Sequence, residues 1–225
     1  MTRIIVSYDG TANEDDAIAL GRIFADAGAE VSLGYVRHTD EAVSDAEAQA
    51  VVLDRAASLF AGTFASSHVV TNRSTPAGLS ALAAEIGADA IVFCSDSHTA
   101  PGHVTIGNSA QQLLEGGPVA VAIAPVGLAQ RGESVQRVVS VGEPGGDSSA
   151  QATAQALAGA LGAQVVPVAD EQADLLVIDS RKETAPGRVS ISASASHLIE
   201  IATCPVLVLP RSVTLSFGRA AVLSA

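Results

Sequence analysis

Two hydrophobic periods alternate along the first 125 residues: short apolar runs, and three- to four-residue steps. Residues 3–8 (RIIVSY) form a β-branched run that stops at Asp9-Gly10, the pattern of a buried strand entering a turn. Residues 13–27 then predict a helix, with Asn13 as its N-cap and Gly28 just past its end. Glu14, Asp15 and Asp16 suit the positive end of the dipole and read as a solvated helix start. Residues 30–36 predict a second strand, and 40–61 an amphipathic helix with Val43, Ala46, Ala50, Leu53, Ala57 and Phe60 on one face. A third strand at 67–71 leads to a helix opened by Thr75-Pro76, with Leu79, Leu82 and Ile86 facing inward, and closed by Gly87. Residues 89–94 form a fourth strand, 107–115 a helix and 119–124 a fifth strand. Near-continuous apolar strands separated by helices predict a parallel sheet covered on both faces.

After a linker at Gly127–Gln136 the pattern restarts. Residues 99–125 align without gaps to 184–210, with 12 of 27 positions identical. Ala88-Asp89 matches Ala173-Asp174 at the same offset of 85, whereas Arg3 matches Arg137 and Gly28-Ala29 matches Gly162-Ala163 at an offset of 134. The second copy therefore lacks a block equivalent to the second helix, third strand and third helix. Three segments follow: a complete domain at 1–128, a truncated one at 135–211 and a tail at 212–225. The trimming poses a geometric problem. About five residues separate a strand at 164–168 from one at 174–179, whereas a parallel crossover takes a dozen or more. Either the first is not a full parallel strand, or the second sheet is rearranged there.

Composition narrows the partners. A net charge of −12 and 3% aromatics disfavour nucleic acid, which needs cations for phosphates and rings for bases. Cys94 and Cys204 stand 110 residues apart, outside any disulfide or zinc-ribbon spacing, which fits a reducing cytoplasm. The N-terminus lacks a signal-peptide apolar region, and the longest apolar stretch, near 118–129, is too short to span a bilayer.

The strand–Asp9-Gly10-Thr11–helix opening at 4–24, the five strand–helix alternations and the closing Val119–Ile123 strand resemble the universal stress protein family. Cys204-Pro205-Val206-Leu207-Val208-Leu209 is closer still to that family's usual last strand. The resemblance covers nearly the whole chain. It implies an α/β fold with a doubly wound parallel sheet of order 3-2-1-4-5, dimerisation through the last strand and, in one subgroup, ATP binding. Strand 119–124 would then pair with 205–209 as a pseudo-dimer within one chain, with a homodimer of two chains left open.

In that topology the crevice opens where strands 1 and 4 leave in opposite directions. Asp9, Gly10 and Thr11 reach it from one side and the loop from Cys94 to Gly107 from the other. The family's nucleotide motif, Gly-x2-Gly-x9-Gly-Ser/Thr, falls here on Cys94, Ser97, Gly107 and Asn108, with Ser109 next. One glycine of three remains, and Gly102 lies within the loop. By resemblance, Val36 would offer backbone contacts to a base, Asp9 would meet ribose, and Ser97, Gly107, Asn108 and Ser109 would meet phosphates. In the second copy the motif positions are Asp179, Lys182, Ser192 and Ala193, and Asp9 becomes Glu143, so phosphate would be repelled.

Blander readings stand beside these. Asp9 also suits a turn that closes a strand, and Gly107-Asn108-Ser109 a helix start. Gly102–Ser109 approximates a Walker A loop without its lysine. Asp96, His98 and His103 could ligate a metal, but the second copy has Arg181, Glu183 and Arg188 there, so solvated loop groups are the simpler reading. Ser95 and His98 suggest a nucleophile and base by composition alone. Cys94 is either an activated thiol or a small buried hydrophobe. The resemblance implies a stress-response protein holding an adenine nucleotide such as ATP, or another small ligand, in its first copy. The alternative is a ligand-free interaction scaffold, which the loss of glycines favours. Weak nucleotide hydrolysis is the one candidate enzymatic activity, and no general base stands out for it.

Overall fold

The structure, a computed structural model, describes residues 1–11, 13–38, 64–131, 134–167 and 173–218, together with Ala50, Asp54 and Ser58. Five strands, β1 (Arg3–Ser7), β2 (Glu30–Arg37), β3 (Phe64–Thr71), β4 (Ala90–Cys94) and β5 (Ala120–Ala124), stand where the apolar runs predict them. Between them run α1 (Glu14–Asp26), α2 (Thr75–Ile86) and α3 (Asn108–Leu114). Gly28 ends α1 with φ 89°, letting Ala29 N–H return to the Phe24 carbonyl at 2.9 Å. Ser74, not Thr75, caps α2, its hydroxyl accepting from Ala77 N–H at 3.4 Å. Of the helix expected at 40–61, Ala50, Asp54 and Ser58 are helical and exposed, which takes Ala50 off the expected buried face. The rest of that helix lies outside the described residues.

The linker holds a helical turn, α4 (Leu128–Arg131). The second copy supplies β6 (Arg137–Val141), α5 (Ser149–Leu161), β7 (Gln164–Val166), β8 (Leu175–Ile178), α6 (Ala193–Ile201) and β9 (Val206–Val208). All nine strands join one sheet of order β3-β2-β1-β4-β5-β9-β8-β6-β7. The first five keep the expected 3-2-1-4-5 order and are parallel. The last four repeat that order from the opposite end, minus an equivalent of β3. The crossover problem resolves through length. β7 is a genuine parallel strand, but it has only three residues and pairs with the first half of β6. Val139 aligns with Val166 on one side, and Val138 with Leu175 on the other. The connection must therefore return about one residue along the sheet and cross two strand spacings, roughly 10 Å. The eight residues 167–174, which could extend to about 26 Å, suffice.

Central strands are buried on both faces. Ile4, Val6 and Leu207 share one core with Phe24 and Leu20 of α1 and Leu157 of α5. Ile5, Ile123 and Val208 share the other with Leu79 and Leu82 of α2, Leu113 of α3 and Ile199 of α6. Gly34 lets α2 approach: a Cβ there would lie 2.7 Å from Ile5 and 3.1 Å from Leu79.

β5 and β9 run antiparallel, pairing Val121 with Val208, Ala122 with Leu207 and Ile123 with Val206. That pairing within one chain is the one the resemblance implies for strands 119–124 and 205–209. Its two-fold character reaches single atoms. Val104 N–H bonds the Ala202 carbonyl at 3.2 Å, and Val189 N–H, 85 positions on, bonds the Gly117 carbonyl at 2.9 Å.

The tail straps the halves together. Leu215 N–H donates to Thr153 Oγ1 of α5 at 3.0 Å, Thr2 Oγ1 to the Ser216 carbonyl at 2.6 Å, and Phe217 stacks on Phe24 of α1 with centroids 5.9 Å apart. Leu215 is 2% exposed. Burying one Leu and one aromatic pair stabilises by about 2–4 kcal/mol. Ending the chain at residue 211 is expected to lower the urea midpoint accordingly, and an unchanged midpoint would refute the strap.

Candidate functional site

The β1–α1 turn is organised by four acids. Asp9 Oδ1 accepts from Thr11 N–H at 3.0 Å, an Asx turn, and Gly10 takes φ 83°. Glu14 reaches back so that Oε2 accepts from both Asp9 N–H (2.5 Å) and Gly10 N–H (2.6 Å). Asp16 accepts from Gly127 N–H and Ala129 N–H, each at 2.8 Å, pinning the start of α4. Tyr8 O–H donates to Asp15 Oδ1 at 3.1 Å. Glu14 and Asp16 are only 6% and 3% exposed, which corrects the solvated reading of this run. These carboxyl groups accept from backbone N–H groups that would otherwise be orphaned, and those bonds hold them out of solvent. Asn13 is likewise no side-chain cap. It sits in the left-handed region at φ 71° and sends Nδ2 to the Asp96 carbonyl, 3.4 Å away.

Burial pushes the Glu14 carboxyl up to about 8, with the neighbouring Asp9 charge acting in the same direction. Cys94, at the end of β4, is pushed up to about 12 by burial and by the charges of Glu14 and Asp9. It is a protonated wall residue, not an activated thiol. Ser95 is buried at 1% exposure. Its hydroxyl donates to the Ala124 carbonyl at 2.6 Å and accepts from Thr105 N–H at 3.2 Å. One bond ties the end of β4 to β5 and the other holds the loop before α3, so both capacities of the Ser95 hydroxyl are used structurally. Asp96 Oδ1 accepts from His98 N–H at 3.0 Å, a local turn, and among the described residues no three His, Cys, Asp or Glu side chains gather for a metal ion.

A cavity of about 250 Å³ opens at the carboxyl ends of β1 and β4, lined by Ser7, Asp9, Thr11, Glu14, Thr75, Phe93, Cys94, Ser95, Asp96, Ser97 and Gly107–Ala110. Of the residues expected at a site, Asp9, Thr11, Cys94, Ser97, Gly107, Asn108 and Ser109 converge here. Gly10 opens instead into a neighbouring hollow of about 490 Å³ with Asn13, Asp15 and Gln130. Val36 lies off the cavity, 8% exposed and packed on α2, where a Cβ at Gly78 would lie 2.9 Å from its Cγ1. Gly107, at φ −72°, adopts a conformation open to any residue, and a Cβ there would touch nothing within 4 Å. Glu14, Thr75 and Phe93 were not placed at the site from sequence. The one available signal was a carboxylate at the first helical position after an Asp-Gly turn.

The model of the universal stress protein family matches residues 1–125 and 128–210. The chain belongs to the universal stress protein family. A functionally unknown protein from Pseudomonas aeruginosa PAO1 shares its fold with TM-score 0.65 at 15% identity, over 94% of this chain and 93% of that one. A universal stress protein from Archaeoglobus fulgidus DSM 4304 does so with TM-score 0.63 at 13% identity, over 93% and 98%. No curated protein matches the chain. Among the described residues, no helix of this universal stress protein is long and apolar enough to cross a membrane.

The two halves of this universal stress protein differ at the corresponding mouth. The structural staples are kept: Ser180 O–H donates to the Leu209 carbonyl at 2.6 Å and accepts from Ser190 N–H at 3.1 Å, as Ser95 does 85 positions earlier. Asp174 Oδ2 accepts from Arg137 N–H just as Asp89 Oδ2 accepts from Arg3 N–H, both at 2.8 Å. At the position of Cys94, however, stands Asp179, 4% exposed, whose Oδ1 accepts from Ala150 N–H of α5 at 2.7 Å. Burial, with Asp147 and Glu143 nearby, pushes its carboxyl up to about 6. Ser192 turns its hydroxyl to Ala195 N–H at 3.2 Å and caps α6.

Proposed function

We propose that this universal stress protein is a cytoplasmic stress-response protein that binds an adenine nucleotide, or a related small ligand, in the cavity of its first half. One observation carries the proposal: two chain segments some ninety residues apart bring Asp9, Thr11, Ser97, Gly107, Asn108 and Ser109 to one cavity at the switch point of the sheet. Open α/β sheets bind ligands at such points. The room left at Gly107 agrees, since the backbone conformation there does not demand glycine. The second half, where buried Asp179 stands at the position of Cys94, serves as the built-in partner that covers the edge of β5.

Calorimetric titration of the full chain with ATP, ADP and AMP tests the proposal. Binding by at least one of them is expected, with a matching rise in melting temperature. At a hundredfold excess over the dissociation constant the stabilisation is about 2.7 kcal/mol. Asn108→Leu is expected to weaken binding tenfold or more without changing the unliganded melting temperature, because Asn108 is exposed. No heat and no thermal shift with any adenine compound at millimolar concentration would sink the proposal.

A further inference from the structure

Resting on that reading, we propose that the first-half cavity selects the uncharged nucleoside over its phosphorylated forms. The lining decides this. It carries three carboxyl groups, Asp9, Glu14 and Asp96, and no Lys or Arg among the described residues. The donors that could have met a phosphate at the β1 turn, Asp9 N–H and Gly10 N–H, are both committed to Glu14 Oε2. What remains is a set of neutral donors and acceptors on Thr11, Ser97, Asn108 and Ser109, beside the exposed acceptor of Asp9. Carboxylates and hydroxyls in that arrangement suit the hydroxyl groups of a sugar. A phosphate monoester, carrying a charge of about −1.5 to −2 at neutral pH, meets like charge with no counter-cation. The volume, about 250 Å³, lies below the 300–1,000 Å³ usual for larger ligands.

The charged state of the mouth follows pH through Glu14, which faces Asp9 on the turn and Cys94 on β4, with Asp16 on its own helix. Below about pH 8 Glu14 is neutral and the repulsion comes from Asp9 and Asp96. Above it a third negative charge is added, which further disfavours phosphates while a neutral ligand feels little of it.

Titration of the full chain with adenosine, AMP and ATP, at pH 6.5 and 9 and at low and high salt, tests this. Adenosine is expected to bind at least tenfold more tightly than AMP at pH 6.5 and low salt. The gap should widen at pH 9 and narrow with salt, as screening requires. Asp96→Asn is expected to raise AMP affinity several-fold and so to narrow the gap between adenosine and AMP, with circular dichroism confirming an unchanged fold. AMP or ATP binding as tightly as adenosine would overturn the selectivity while the adenine site stands. No binding by any of the three would overturn both.

Discussion

Leu207→Asp is expected to abolish folding of both halves together. Leu207 is fully buried in β9, opposite Ala122 of β5, in the core that also holds α1 and α5. A carboxylate there loses its hydration and gains no partner, a cost above the 4–5 kcal/mol that marks exceptional single substitutions. Leu207→Ala, which removes apolar contact and leaves a cavity, is expected to cost about 2–5 kcal/mol. Because β5 and β9 pair within one nine-stranded sheet, the Ala variant should still unfold in a single urea transition, at a lower midpoint and with an unchanged slope. Two separated transitions, with the signal of the first half surviving, would show that the seam does not couple the copies.

The stability of Glu14→Gln relative to the native chain is expected to rise with pH. In the folded chain the Glu14 carboxyl titrates near 8, against 4.5 when free. The folded state therefore holds a proton that the unfolded chain has released. Stability from this group is full below about pH 4.5, is lost as pH rises, and is gone above about 8. Glutamine accepts from the same two N–H groups and does not titrate. Between pH 5 and 9 the variant should gain on the native chain by on the order of 3–4 kcal/mol, or roughly 6–16 °C in melting temperature. Melting curves at pH 5, 7 and 9 give the comparison. A difference that stays constant across that range would mean that Glu14 is ionised throughout, and that burial is not the dominant influence on it.

Much of the molecule was legible in the chain. The β-branched runs at 3–8, 30–36, 89–94 and 119–124 became β1, β2, β4 and β5 because strands buried on both faces need uninterrupted apolar sequence, and that is a local property. Gly28 and Gly87 marked helix ends because a positive φ is cheapest for glycine. The repeat at offsets 85 and 134 carried the second half with it, down to the paired roles of Ser95 and Ser180.

What was not legible depends on neighbours distant in sequence. Nothing in Glu14-Asp15-Asp16 reveals that one carboxylate folds back onto the turn and another reaches the linker 111 residues away. On sequence alone a charge at a helix start is best solvated. The order of β7, β6 and β8, and an eight-residue crossover, became feasible only because β7 stops after three residues beside the first half of β6. Residue types and their spacing thus determined the elements, the duplication and the rim of the cavity, since these follow from local conformational preference and hydrophobic period. Tertiary structure alone decided which carboxylates are buried, because that outcome depends on backbone N–H groups and solvent exclusion that exist only once distant segments have packed.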